Sequence, residues 1–257
     1  REDKLSLILY QDMIQNDIMP NNYILSCIMK CCESNIATCG MIIHHHSIEL
    51  GLYSDVIVAT SLVNQYAKYG MLGDAYNVFD HMKNRNVVSY GVMISGYAQS
   101  GQVRNVLILF NQMRAKGVKP DTVTFLAMLM ACSHAGLVKD GQILFNTMNH
   151  VYLLDPTLQH YSCMVDLLCR SGHFDKAIDM IEKVLPCDRL QMWIALLSAC
   201  RTWANVELGR FAFEQLMQLD ASHDATYVCM SNTYAVVGIQ DEANMSSTIL
   251  ESEHDPW

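Results

Sequence analysis

The chain has 257 residues, 51% of them hydrophobic, with only five prolines and thirteen glycines. That composition supplies an ordered core, excludes low complexity as the dominant character and contains no apolar run long enough for a membrane span. The net charge of −9 is uneven: residues 1–157 hold 11 Lys/Arg against 12 Asp/Glu, whereas residues 158–257 hold 6 against 14. A polyanion is repelled by the second balance, so a nucleic acid would be expected on the first part and a protein partner on the second.

Taken in chain order, the first residues, Arg1-Glu-Asp-Lys-Leu-Ser-Leu-Ile-Leu9, resemble neither a signal peptide nor a transit peptide. Residues 1–21 read as the tail of a repeat whose first helix lies upstream, so the chain is expected to be a fragment with its targeting segment before residue 1. From residue 22 onward, helix-period apolar stretches alternate with glycines that return at one point of the pattern. Gly70 closes Gln65-Tyr-Ala-Lys-Tyr-Gly70 and Gly101 closes Ser95-Gly-Tyr-Ala-Gln-Ser-Gly101, with Gly136 and Gly172 in matching places. The spacings are 31, 35 and 36 residues. A repeat of that length is a helix pair that buries its apolar face only by stacking on its neighbours.

With each glycine as fifteenth residue, the units are 56–86, 87–121, 122–157 and 158–189, followed by 190–223 and 224–257, with 22–55 upstream. The same frame puts Ala204 and Gly238 at the fifteenth position of the last two. In each unit a first helix runs to the glycine, whose positive φ suits a helix end. A second amphipathic helix then closes on a buried Met or Phe, as at Phe79, Phe110, Met82, Met113 and Met148. The expected fold class is all-α: a right-handed α-solenoid of stacked helix-turn-helix repeats.

The ten cysteines contain no Cys-x-x-Cys, and most fall on apolar helical positions, so they read as buried free thiols. The Cys27, Cys31, Cys32 and Cys39 group is not expected to bind metal. His44-His45-His46 invites a zinc reading, but adjacent helical residues point to different faces. Neither a metal nor another cofactor is expected.

Val87-Val-Ser-Tyr-Gly-Val-Met-Ile-Ser-Gly-Tyr-Ala98, closing on Gly117-Val-Lys-Pro-Asp121, strongly resembles a pentatricopeptide repeat of the 35-residue type. The Trp-x-x-Leu-Gly-x-x-Tyr opening of tetratricopeptide repeats is absent. The unit ending Phe79-Asp-His-Met-Lys-Asn-Arg-Asn86 resembles the family's short motif, and Phe125-Leu-Ala-Met-Leu-Met-Ala-Cys-Ser-His-Ala-Gly-Leu-Val138 its long motif. His160–Gly172 is similar to a last short motif. Trp193–Arg201 with Asn205–Gly209, and then Tyr227–Ala235, resemble two C-terminal E motifs covering 190–257. The alternation of long (22–55, 122–157), short (56–86, 158–189) and standard (87–121) units resembles the plant organellar subclass.

That resemblance implies recognition of single-stranded RNA at one base per repeat. The family's recognition positions are the fifth and last residues of each unit, and its stacking position is the second. Carried over, Thr60 and Asn86 form an adenine-like pair, with Ile57 for stacking. Gly91 and Asp121 follow, with Val88 stacking; Gly91 offers no side chain, so Asp121 alone would discriminate, weakly, for uracil or guanine. Ser26 and Asp55 resemble a guanine pair. Leu126 with Thr157, and Ser162 with Arg189, fit no clean code.

Many relatives continue into a zinc-dependent cytidine deaminase, which requires His-x-Glu and Cys-x-x-Cys. This chain has neither and is expected not to be an enzyme. The implied role is the site-recognition factor for C-to-U RNA editing in a mitochondrion or chloroplast. It would act with a trans-acting DYW-type deaminase and multiple-organellar-editing-factor proteins. A deaminase domain following in the full gene stays open. The alternative is a structural subunit of a larger organellar ribonucleoprotein or polymerase assembly, or another RNA-processing role such as splicing or transcript stability.

Overall fold

The computed structural model describes residues 2–31, 36–219 and 224–239, which are all-helical apart from turns. The helices are α1 (Glu2–Gln15), α2 (Asn22–Cys31), α3 (Ile36–Glu49), α4 (Val56–Lys68), α5 (Leu72–His81), α6 (Val87–Gln99) and α7 (Val103–Ala115). They continue with α8 (Thr122–Ala135), α9 (Val138–His150), α10 (Leu158–Arg170), α11 (Phe174–Glu182), α12 (Leu190–Thr202), α13 (Val206–Leu219) and α14 (Asp224–Val237). The chain divides into two compact units, Arg1–Ala131 and Cys132–Trp257. In the first, α2, α4 and α6 lie side by side, with α3, α5 and α7 as their hairpin partners. In the second, α10, α12 and α14 lie side by side, backed by α11 and α13.

One turn recurs at the ends of α4, α6, α8, α10, α12 and α14. Gly70, Gly101, Gly136, Gly172 and Gly238 have φ between 68° and 82°, and Ala204 adopts φ 52° at the matching place. Each sends its N–H back to the third residue before it, while the following N–H reaches five residues back. Examples are Met71 to Tyr66 (2.9 Å), His173 to Leu168 (2.9 Å) and Asn205 to Cys200 (2.9 Å). This double bond satisfies carbonyls that a helix end otherwise leaves open.

The exits of the second helices differ between hairpins. After α1, α3, α7 and α9 the chain again passes through positive φ, at Asp17, Gly51, Gly117 and Leu153. After α5 and α11 an arginine folds back instead. Arg85 Nε donates to Phe79 O (3.0 Å) and its Nη2 to Asp80 O (2.6 Å). Arg189 Nε donates to Val184 O (2.7 Å) and its Nη2 to Glu182 O (2.7 Å). A guanidinium thus satisfies the last carbonyls where no left-handed residue is present.

Successive hairpins are joined by edge-to-face aromatic pairs. Phe79 of α5 meets Tyr90 of α6 at 5.1 Å between centroids and 77°; Phe110 of α7 meets Phe125 of α8 at 6.0 Å and 68°. In the second unit, Phe145 of α9 meets Tyr161 of α10 at 5.3 Å and Phe213 of α13 meets Tyr227 of α14 at 5.3 Å. Around them the core is aliphatic and thioether: Leu62, Met93, Ile94 and Met113 in the first unit, Leu168, Ile181, Leu196 and Leu216 in the second. Met82 and Met148 are buried as well. At Gly96 the backbones of α4 and α6 approach so closely that an added Cβ would lie 2.8 Å from Ala67 Cβ.

The thiols are less uniformly buried than their helical positions suggest. Cys132, Cys169 and Cys200 are buried, but Cys27, Cys31 and Cys187 are exposed; Cys32 and Cys39 lie outside the described side chains. Burial pushes the Cys169 thiol up to about 12, helped by Cys200 and Asp166, which disfavours the reactive thiolate. The three consecutive histidines diverge. His44 Nδ1 meets Tyr66 Oη at 2.7 Å, His45 pairs with Glu49 at 3.2 Å, and His46 Nδ1 meets Tyr10 Oη at 2.9 Å. Burial pulls the His44 imidazole below its ordinary range, against the opposing pull of Asp74. Among the described residues no three His, Cys, Asp or Glu side chains gather as a metal site, and no helix is long and apolar enough to cross a membrane.

Two stability outcomes follow from these contacts. Phe79→Ala should cost about 3–5 kcal/mol, whereas Phe79→Leu should cost only about 1–2 kcal/mol, because it keeps most apolar burial and loses the ring-edge contact. A leucine variant as stable as wild type in denaturant titrations would show that burial, not ring geometry, joins the hairpins. Ala204→Gly relieves a left-handed alanine and should stabilise by about 0.5–1 kcal/mol, after the added freedom of the unfolded chain is subtracted. A lowered melting temperature for that variant would contradict the turn assignment.

Candidate nucleic-acid interface

Helices α2, α4 and α6 present one face to a groove of about 370 Å³. Five of the residues singled out from sequence line it together: Ser26, Ile57, Thr60, Asn86 and Val88. Their arrangement follows from helix geometry. Ile57 and Thr60 lie one turn apart on α4, Val88 is the second residue of α6, and Asn86 sits at its N-terminus. Ile57 and Val88 are 37% and 54% exposed, so both apolar surfaces are available to a planar ligand.

The polar groups differ in what they have left to offer. Thr60 Oγ1 is buried, with no hydrogen-bond partner among the described residues. A hydroxyl in that state costs free energy until something supplies the missing bond. Ser26 is the opposite case, since its hydroxyl already shares a 2.7 Å hydrogen bond with Ser61. Asn86 caps α6: its Oδ1 accepts from Ser89 N at 2.9 Å, and Ser89 Oγ accepts from Asn86 N at 3.0 Å. The cap uses the amide oxygen and leaves the Nδ2 hydrogens for another acceptor.

The remaining candidates lie outside this groove. Asp55 caps α4, accepting from Ile57 N (2.9 Å) and Val58 N (3.2 Å), and also receives Asn22 Nδ2 at 3.1 Å. Asp121 Oδ1 accepts from Thr124 N (2.8 Å) and Thr124 Oγ1 (2.7 Å) at the start of α8. Gly91 is buried, and an added Cβ there would meet nothing within 4 Å, so α6 leaves open space where a side chain could project. Thr157 is bound to His160 Nδ1 through both its N–H (3.2 Å) and its hydroxyl (2.7 Å). The Arg189 guanidinium is held by the carbonyls of its own turn.

Besides Val56, one turn before Thr60, four groove residues escaped the sequence reading: Lys30, Ser61, Asn64 and Val92. Each stands four residues after one already singled out, namely Ser26, Ile57, Thr60 and Val88. The i, i+4 rule for a helix face would have found them. Lys30 brings an exposed ammonium to the groove and Asn64 a second amide.

The fold and this face define a helix-hairpin repeat protein. Family comparison agrees: the PPR repeat matches at residues 57–87, 123–150 and 160–185, the PPR repeat family at 85–134, and the E motif at 203–246. The chain belongs to the pentatricopeptide repeat family. It is 40% identical over 215 residues to the chloroplastic pentatricopeptide repeat-containing protein At3g49170 of Arabidopsis thaliana, covering 82% of this chain and 25% of that protein. It is 38% identical over 232 residues to the mitochondrial At3g26782 of the same plant, covering 90% of this chain and 35% of that protein. The chain therefore spans about a third or less of the length of these two relatives. Its fold is similar to that of pentatricopeptide repeat protein PPR10 in complex with an 18-nt psaJ RNA element, with TM-score 0.74 and 18% identity over 98% of this chain and 38% of that one.

The unpartnered hydroxyl gives a direct test of the groove. Thr60→Val keeps the shape and removes the unsatisfied oxygen, so it should stabilise the free protein by about 1 kcal/mol. That corresponds to a melting temperature higher by roughly 2–4 °C for a domain of this size. A destabilised valine variant would mean that the hydroxyl has a partner in solution.

Proposed function

We propose that the chain binds single-stranded RNA in a mitochondrion or chloroplast and acts as a site-recognition factor for C-to-U editing. The observation that carries the reading is the groove in which Thr60 Oγ1, buried and unpartnered, stands with the free amide hydrogens of Asn86 between the apolar surfaces of Ile57 and Val88. One donor and acceptor set beside two apolar contacts is what reading one unstacked base requires. The RNA named in the structure of the fold neighbour and the organellar names of the relatives support the same class.

In this reading the units are 22–55, 56–86, 87–121, 122–157 and 158–189, with E-type hairpins over 190–257. Thr60/Asn86 is the clearest reader, with Ile57 and Val88 pressing on the base. Asp121 contributes weakly beside Gly91. Ser26/Asp55 is compromised, because Ser26 is bonded to Ser61 and Asp55 is engaged as a cap. The E motif match supports the editing role, and the deaminase is supplied in trans by a DYW-type protein. Multiple-organellar-editing-factor proteins would join at the long units. No catalytic role is assigned to this chain. The charge balance of −8 over residues 158–257 favours a basic protein partner on that part.

The test begins with crosslinking and sequencing of RNA bound to the full-length protein in its organelle. One short transcript segment supports site recognition; ribosomal RNA alone would replace it with a scaffold role. At the level of one base, Asn86→Asp preserves the α6 cap, since a carboxylate also accepts from Ser89 N. It replaces an amide donor with acceptors and should move preference from adenine toward guanine at one position. The expected cost of the former base is about 1–3 kcal/mol, by analogy with protein–DNA mismatches. Unchanged preference across a four-base panel would reject the pair.

A further inference from the structure

The second unit carries a pocket of about 390 Å³ formed by the C-terminal ends of α10 and α12. Its wall is Trp203, an indole that stays 51% exposed although it is well seated. A Cβ added at Gly172 would lie 3.2 Å from the Trp203 ring, so the absence of a side chain there lets the indole rest on the backbone. Phe174 meets the same ring edge-on at 6.4 Å and 89°. The indole is thus fixed in place by these contacts and still presents open aromatic surface, unusual for a residue that normally buries most of its area.

Two guanidiniums share the pocket. Arg170 is aimed by Asp166, whose Oδ1 accepts from its Nε at 2.9 Å while Oδ2 accepts from Ser133 Oγ. That chain orients the arginine and leaves its terminal nitrogens unengaged among the described residues. Arg201 is exposed. Asp166 is the only carboxylate among the pocket residues, and it is already committed to Arg170 and Ser133. The local field therefore opposes the acidic balance of the surrounding region.

We propose that this pocket binds one nucleotide of single-stranded RNA, its base stacked on Trp203 and its phosphate held by Arg201 and Arg170. An open aromatic face beside planar, doubly donating cations is complementary to a base linked to a phosphate, which an acidic peptide matches only by charge. The proposal rests on the reading of the protein as an RNA binder and adds one RNA contact to the half whose charge favours a protein partner. Ser198 lines the same pocket and adds a hydroxyl to it.

The experiment measures binding of the purified chain to a fluorescein-labelled, random-sequence single-stranded RNA pool across a salt series. Trp203→Ala should weaken binding by about 5- to 150-fold, the usual worth of one base–aromatic stack, and Trp203→Phe should retain most of it. Arg201→Gln, at an exposed side chain that leaves Gly172 and Phe174 untouched, should flatten the salt slope by about 0.7. If both variants bind as wild type while Thr60→Val and Asn86→Asp still alter base preference, this pocket is refuted and the groove on α2, α4 and α6 stands. If the wild-type chain binds none of the pool, both readings fall. Wild-type binding of poly-glutamate that displaces no RNA, yet is lost in both pocket variants, would also overturn the proposal in favour of a protein contact.

Discussion

The structure depends on one contact made repeatedly: an aromatic ring at the eighth residue of a second helix set edge-on against an aromatic ring in the first turn of the next first helix. Phe79–Tyr90, Phe110–Phe125, Phe145–Tyr161 and Phe213–Tyr227 all keep centroid separations of 5.1–6.0 Å with steep interplanar angles. A hairpin alone cannot bury its outer face, so its stability comes from the neighbour it touches. The ring pairs give that neighbour contact a direction as well as an area, because edge-to-face geometry is favoured over a sliding apolar surface. Where they occur, each first helix is held at a defined place relative to the hairpin before it, and the spacing of surface side chains on successive helices follows.

Those surface side chains carry two duties. Asp55, Asn86 and Asp121 end one hairpin's connection and cap the next helix, so a residue that would read a base also satisfies orphan backbone N–H groups. The choice at such positions narrows to Asp, Asn, Ser or Thr on stability grounds, and those residues also supply the donors and acceptors that distinguish bases. Thr60 shows the converse. Its hydroxyl serves no structural bond and is carried at a cost that a ligand would offset. Unsatisfied groups of this sort are where function shows against folding.

Much of the fold was legible because it is local. Helix ends at Gly70, Gly101, Gly136 and Gly172 follow from residues that accept positive φ, and even Ala204 could be placed by the spacing alone. The groove was partly legible: Thr60, Asn86, Ile57, Val88 and Ser26 were reachable from periodic positions, and Lys30, Ser61, Asn64 and Val92 lay one helical turn further on. The exposure of Cys27, Cys31 and Cys187 was not legible, because an apolar residue type says nothing about which neighbour covers it.

The sequence by itself determined the helix-pair period, the turn positions, the capping residues and the charge division between the two parts. The turns and caps are fixed by residues within one or two turns of one another, and the period and charge division follow from the order of residues alone, with no tertiary contact. Only the tertiary structure decided which polar groups remain available. Ser26 is consumed by Ser61, thirty-five positions away, while Thr60 is left alone. Arg85 and Arg189 turn onto the carbonyls of their own helix ends, while Arg201 stays exposed beside the indole of Trp203. The reason is physical: periodicity tells which face a side chain occupies, but its hydrogen-bond partner is set by how helices distant in sequence come to lie against that face.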